Sequence, residues 1–216
     1  MATVSSDYAI GIDEVGRGAL AGPVVVAAVM VPGGRRGKGI VEAANLGVLK
    51  DSKKLSAPRR VAWAKYFRGH RAVDFALARV YPRGIERMNI SAAANRAAER
   101  ALTRLIKKHA HAGATARIFL DGGLFLGSRV HQSARYKKAK TVIKGDEKIP
   151  AIAAASVIAK VARDRFMATL ATRHPRYSFE VHKGYGTALH RAAIQKYGPC
   201  DAHRLTFLHK EPIMKR

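Results

Sequence analysis

Residues Ile152 to about Arg173 read as a helix whose first turns, Ile152-Ala153-Ala154-Ala155-Ser156-Val157-Ile158-Ala159, are almost entirely small or apolar. Such a helix has no face to give to water, and its short side chains let it approach a neighbour closely. It must pack against a sheet. Strands to supply that sheet are visible: Tyr8–Val15 runs into Gly16-Arg17-Gly18, Val24–Val31 follows Gly22-Pro23, and Val73–Val80 makes a third. Arg117–Leu120 ends at Asp121-Gly122-Gly123, and Thr141–Lys144 ends at Gly145-Asp146. Ser56-Ala57-Pro58 opens a helix, with Ser as cap and Pro near its first turn, that carries Val61, Trp63, Ala64 and Phe67 inward. Ser91 is expected to cap an Ala-rich helix to about His109, and a last helix covers Ala188–Tyr197. The run Gly33-Gly34-Arg35-Arg36-Gly37-Lys38-Gly39 reads as a turn, with its glycines at positive φ. Neighbouring strands followed by alternating strands and helices predict an α/β or α+β layer fold with a mixed sheet. No linker divides the chain; residues 1–186 are expected to form the main domain and 187–216 a helical C-terminal appendage packed on it.

Composition narrows the partners. The chain sets 40 Lys and Arg against 15 Asp and Glu, a formal charge of +25. Solubility rarely needs more than ~8 net charges in a small domain, so a polyanion is favoured, nucleic acid before an anionic membrane. The longest apolar stretch, roughly Pro23 to Pro32, is far short of the ~20 residues that span a bilayer. One cysteine, Cys200, excludes an internal disulfide and a cysteine-rich zinc site. With a polar start and no apolar leader core, a cytoplasmic protein is expected.

Acids are scarce, so their positions carry information. Asp13 and Glu14 stand in or at the end of the apolar strand Ile10-Gly11-Ile12-Asp13-Glu14-Val15. Strand neighbours point to opposite faces, so both cannot be ordinary solvent-facing residues. A carboxylate at a core edge needs an arginine, backbone amides or a metal. Asp121 and Asp146 each follow an apolar strand; either alone reads equally well as a turn residue or helix cap. Together, carboxylates at the ends of adjacent strands suit a hard divalent cation, Mg2+ or Mn2+. A basic surface to attract phosphates and an acidic cluster to hold metals is the arrangement that two-metal phosphodiester hydrolysis requires.

The motifs themselves resemble the ribonuclease HII family. The carriers are Gly11-Ile12-Asp13-Glu14-Val15-Gly16-Arg17-Gly18 with Ala21-Gly22-Pro23-Val24-Val25, then Asp51-Ser52-Lys53-Lys54-Leu55, Asp121-Gly122 and Lys144-Gly145-Asp146. The helix 152–165, His182-Lys183-Gly184-Tyr185-Gly186-Thr187 and His203-Arg204-Leu205-Thr206-Phe207 complete them in family order. The resemblance implies an RNase H-like fold, a mixed five-stranded sheet flanked by helices with a helical C-terminal part. It implies that Asp13, Glu14, Asp121 and Asp146 hold two Mg2+ or Mn2+ ions for hydrolysis that leaves a 3′-hydroxyl and a 5′-phosphate. It assigns 2′-hydroxyl reading to Gly16, Arg17 and Gly18, largely through backbone atoms, and packing against the following deoxyribose to Tyr185. Lys53 and Lys54 fit phosphate contacts.

The implied partner is an RNA–DNA hybrid or a DNA duplex with an embedded ribonucleotide, met by a monomer with no membrane role. Read without the resemblance, Gly16-Arg17-Gly18 is equally a strand-ending turn, Tyr185 a packing residue, and the two lysines a solvated surface. Asp164 between Arg163 and Arg165 reads as a structural ion pair, and His182, His190 and His203 as structural or phosphate-contacting. The sequence departs from the family pattern at Gly123-Leu124-Phe125, where a polar residue is more usual, and in its basic Arg35–Lys38 segment. The closest rival is a ribonuclease H type that prefers long hybrids, against which Tyr185 between its glycines speaks. A non-catalytic nucleic-acid binder would leave the acids inside apolar strands unexplained.

Overall fold

The structure, a computed structural model, describes residues 8–43, 45–49, 54–110, 115–127 and 139–209. A five-stranded sheet has the order β5-β2-β1-β6-β7, where β1 is Tyr8–Val15, β2 Val24–Pro32, β5 Asp74–Val80, β6 Arg117–Asp121 and β7 Lys140–Val142. β1, β2 and β5 form an antiparallel meander, while β6 and β7 run parallel to β1. A two-residue ribbon, β3 (Glu42–Ala43) with β4 (Gly47–Val48), lies outside the sheet. The helices are α1 (Gly34–Ile40), α2 (Ala57–Gly69), α3 (Pro82–Lys108), α4 (Gly145–Lys148), α5 (Pro150–Arg173), α6 (Phe179–His182), α7 (Ala188–Tyr197) and α8 (Leu205–Leu208).

Both sheet faces are covered, which explains the unbroken apolar run of β2. Val24, Val26, Ala28 and Met30 pack with Ile10, Ile12 and the alanines of α3. Ala27, Val29 and Val31 pack with Trp63 and Phe67 of α2 and the small residues of α5. The close approach demanded by α5 is met at Gly11, where an added Cβ would lie 2.1 Å from the Ala151 carbonyl carbon. A third cluster joins the end of α5 to the C-terminal helices through Leu20, Met167, Tyr177, Phe179, Ile194 and Leu208.

Several expectations are corrected. The glycine-rich basic stretch is not a turn but α1, because Gly37 lies against the Pro32 carbonyl and Ile40 is buried. Tertiary packing outweighs the low helix propensity of its glycines. Val61 faces water at 43% exposure, while Trp63, Ala64 and Phe67 are buried as expected. α3 starts earlier than expected, at Pro82, and breaks at Asn89 (φ 66°, ψ 165°). Asn89 caps the second segment by accepting the Ala92 N–H at 3.0 Å, leaving Ser91 to another partner. β7 is shifted to Lys140–Val142, because Lys144 turns into the left-handed region (φ 53°). Asp164 pairs with Lys160 at 2.9 Å rather than with its arginine neighbours. Among the described residues no helix is long and apolar enough to cross a membrane.

Candidate active site

The parallel pairing of β1 with β6 sets Ile12 opposite Leu120, so Asp13 and Asp121 follow on the next rung at the carboxyl ends of neighbouring strands. In open sheets that edge is where ligands bind. Alternation puts Asp13 on the face covered by α5 and Glu14 on the α3 face. Both reach a cavity of about 550 Å³ lined by Asp13, Glu14, Asp121, Ser156, Lys160 and Tyr185, with Gly16, Arg17, Gly18 and Arg60 at its wall. Asp146 does not line it. It is buried, at 5% exposure, on the segment beside it, where the N–H of the preceding Gly145 donates to Asp121 Oδ1 at 2.8 Å. The oxygens do not form a mutual cluster of three within 4.8 Å.

The cavity is electrostatically uncomfortable as it stands. Burial raises Asp13 well above the usual carboxylate range, and the charges of Glu14 and Asp121 push it further. The Ser156 hydroxyl and the Glu14 N–H, 2.7 Å from Asp13 Oδ1, offset this only in part. Glu14 is also raised, chiefly by burial, against the lowering effect of Arg17. Arg17 meets Glu14 Oε1 at 3.3 Å, but Glu14 Oε2 is buried without a hydrogen-bond partner. An orphaned carboxylate oxygen beside two further acids fits a divalent cation, which would supply the missing charge and ligand contact.

Two buried arginines lie behind the loop from Gly16 to Pro23, and Arg204 holds Gly16 and Arg17 directly. Arg204 donates to the carbonyls of Gly16 at 2.7 Å, Arg17 at 2.9 Å and Gly22 at 3.0 Å. Arg163 donates to Pro23 at 3.0 Å, Ala21 at 3.1 Å and Lys183 at 2.8 Å. Gly16 (φ 86°) must lack a side chain, since its Cβ would sit 2.1 Å from Arg163 Nε. Gly18 is different: its Cβ would meet nothing within 4 Å, so its missing side chain leaves open room. The Arg17 side chain is turned inward to Ser91 Oγ at 2.8 Å and to the Gly123 carbonyl at 3.4 Å. Gly123 itself has φ 99°, a backbone conformation that favours glycine.

Tyr185 faces the cavity with Arg163 5.2 Å from its ring centroid. Its backbone is fixed by His190, whose Nδ1 donates to the Tyr185 carbonyl at 3.0 Å. His190 Nε2 in turn meets His203 Nε2 at 3.1 Å, and His203 Nδ1 accepts the Cys200 N–H at 2.9 Å. Burial lowers His190 and His203 to about 4, so both are neutral at pH 7. These histidines are structural supports. Lys54 is exposed and does not line the cavity; Lys53, with Asp51 and Ser52, lies outside the described residues. Sequence reasoning missed Ser156, Lys160, Arg60, Arg163 and Arg204. Ser156 had a signal, as the one hydroxyl in the run 151–159.

Solved structures share this architecture. Ribonuclease H2 from Pyrococcus horikoshii OT3 superposes with a TM-score of 0.66 at 21% identity, covering 97% of this chain and 100% of that one. Bst-RNase HIII in complex with Mn2+ gives 0.72 at 23% identity, covering 94% and 68%. A mixed sheet flanked by helices, shared with these structures, defines an RNase H-like fold. The family model for ribonuclease HII matches residues 10–211. The curated ribonuclease HII of Nitratidesulfovibrio vulgaris is 45% identical over 206 residues, 94% of this chain and 86% of that protein. The chain belongs to the ribonuclease HII family and is a ribonuclease H, a hydrolytic nuclease.

Proposed function

We propose that the chain nicks duplex DNA on the 5′ side of a single embedded ribonucleotide, and also cuts the RNA strand of RNA–DNA hybrids, by hydrolysis that needs two Mg2+ or Mn2+ ions. The products would carry a 3′-hydroxyl and a 5′-phosphate, and the cellular task would be ribonucleotide removal from DNA. The observation that carries this reading is the buried, unpartnered Glu14 Oε2 beside Asp13 and Asp121 in a chain of charge +25. Asp13, Glu14, Asp121 and Asp146 would hold the ions. When bound, the ions supply an activated water and stabilise charge on the leaving oxygen.

The chain's own groups do the rest. Lys160 and Arg60 at the cavity wall attract the phosphate. Gly18, open to solvent, lets the loop backbone approach a sugar, and the arginine-held carbonyls keep that backbone rigid. A 2′-hydroxyl both donates and accepts, so fixed backbone groups can read it. The Tyr185 ring across the cavity packs on the next sugar, where an added hydroxyl would be poorly solvated. The Mn2+ complex of the structurally similar Bst-RNase HIII supports divalent dependence.

The test is a labelled duplex with one ribonucleotide, incubated with Mg2+, with Mn2+ or with EDTA, and its product ends mapped. One cut on the 5′ side, absent with EDTA and on all-DNA duplex, is expected. Cleavage confined to long RNA stretches, or binding without cutting, would overturn the reading.

A further inference from the structure

We propose that His174, Cys200 and Asp201 form a second divalent-cation site, separate from the acidic cavity and suited to Zn2+ or Co2+. Among the described residues this is the one group of three His, Cys, Asp or Glu side chains whose ligand atoms all lie within 4.8 Å of one another. His174 Nε2 and Asp201 Oδ1 are 3.4 Å apart. Bonds of ~2.0–2.3 Å to a tetrahedral ion put neighbouring ligands roughly 3.3–3.8 Å apart, so this edge already has the required length, and the other ligand-atom separations are within 4.8 Å.

The scaffold around the trio is held by groups outside it. His174 follows the last turn of α5, and its ring lies edge-on to Tyr177 at 6.5 Å and Phe179 at 6.2 Å. The Tyr177 hydroxyl donates to the Gly198 carbonyl at 2.7 Å, tying the 198–201 turn opposite His174. Cys200 Sγ lies 3.2 Å from His203 Nδ1 and is half-buried, while Asp201 is exposed and leaves an entry path. One imidazole, one thiolate and one carboxylate, with a fourth position left to water, is a mixed donor set of the zinc type. It is not the cysteine-rich kind that a single cysteine excludes.

Ligand chemistry separates the two sites. Sulfur and imidazole donors select Zn2+ or Co2+ over Mg2+, whereas the carboxylates at the sheet edge favour Mg2+ or Mn2+. Binding replaces the thiol proton, which passes to buffer. The ion would clip the end of α5 to the turn that leads into His203 and Arg204, the arginine behind Gly16 and Arg17.

The experiment uses the full chain, stripped of metal and titrated with Co2+. A near-ultraviolet thiolate-to-cobalt band is expected to saturate at one equivalent, to disappear with one equivalent of Zn2+, and to resist excess Mg2+. Asp201→Asn touches no core and should lower Co2+ affinity about tenfold or more, as even outer-shell losses do at metal sites. His174→Ala should do the same, and Asp13→Asn should leave the band intact. Zn2+ should raise the Tm of the wild type but not of Cys200→Ser. No band in the wild type would overturn the site. So would a band of unchanged affinity in both His174→Ala and Asp201→Asn, which would mean ligation by the thiol alone.

Discussion

Asp13 and Glu14 at the sheet edge, and His190, His203 and Arg204 in the C-terminal segment, are all withdrawn from water, but they are settled differently. Each C-terminal group has its partners: two neutral histidines bonded to each other and to backbone, and a guanidinium shared among carbonyls. The acids crowd one another, and one oxygen has no partner. A satisfied buried polar group fixes geometry; an unsatisfied one stores unfavourable energy until a ligand arrives. The molecule uses the first kind to hold the loop that borders the second.

The largest effect expected from this contrast is at Asp13. Asp13→Asn should lower cleavage by on the order of 10³-fold, comparable to loss of a principal charge-stabilising group, while duplex binding stays the same or tightens. Its stability should move the other way. A carboxyl whose folded pKa is raised stabilises the fold below its unfolded pKa and loses that contribution as pH rises through the folded value. Asp13→Asn should therefore raise Tm at pH 7 and lose that gain in acid. A lower Tm at pH 7 would break the comparison.

Arg204→Ala removes a satisfied group and should destabilise the fold by about 3 kcal/mol, since several buried carbonyls lose their donor. Arg204→Lys should recover part of this and yet cut a single-ribonucleotide duplex poorly, through a higher KM, if Arg204 positions the Gly16–Gly18 backbone. A loss of activity at unchanged KM that only follows the loss of folded protein would reduce its role to folding. Tyr185→Ala should lower single-ribonucleotide cleavage roughly 10- to 100-fold, the scale of a lost aromatic packing contact of ~1–3 kcal/mol, with a smaller effect on all-RNA hybrids. The histidines give the smallest effect. Their folded values near 4, against 6.5 unfolded, mean stability present above 6.5 and lost as pH falls from 6.5 towards 4. His190→Gln should flatten that slope in a series of melting curves.

The two regions also differed in how far sequence alone revealed them. The acids were legible because charge inside an apolar strand breaks a period-two pattern, and α7 is found at the expected Ala188–Tyr197. The small-residue stretch of α5 announced a close approach that Gly11 then met. Arg163 and Arg204 were hidden, because their partners are backbone carbonyls, all but that of Lys183 lying 140 to 188 residues away, which leave no side-chain pattern. The helix α1 was hidden for a related reason. Its glycines read locally as a turn, and only the Pro32 carbonyl against Gly37 shows why the chain coils there.

A divalent cation is expected to relieve the crowded sheet-edge carboxylates, one oxygen of which has no partner. Carbon-detected NMR titration of the Asp13 and Glu14 side-chain carboxyls, with and without Mg2+, tests it directly. Without Mg2+ both should titrate above the usual carboxylate range, Asp13 the higher, and Mg2+ should lower both. Ordinary values that Mg2+ leaves unchanged would contradict the account.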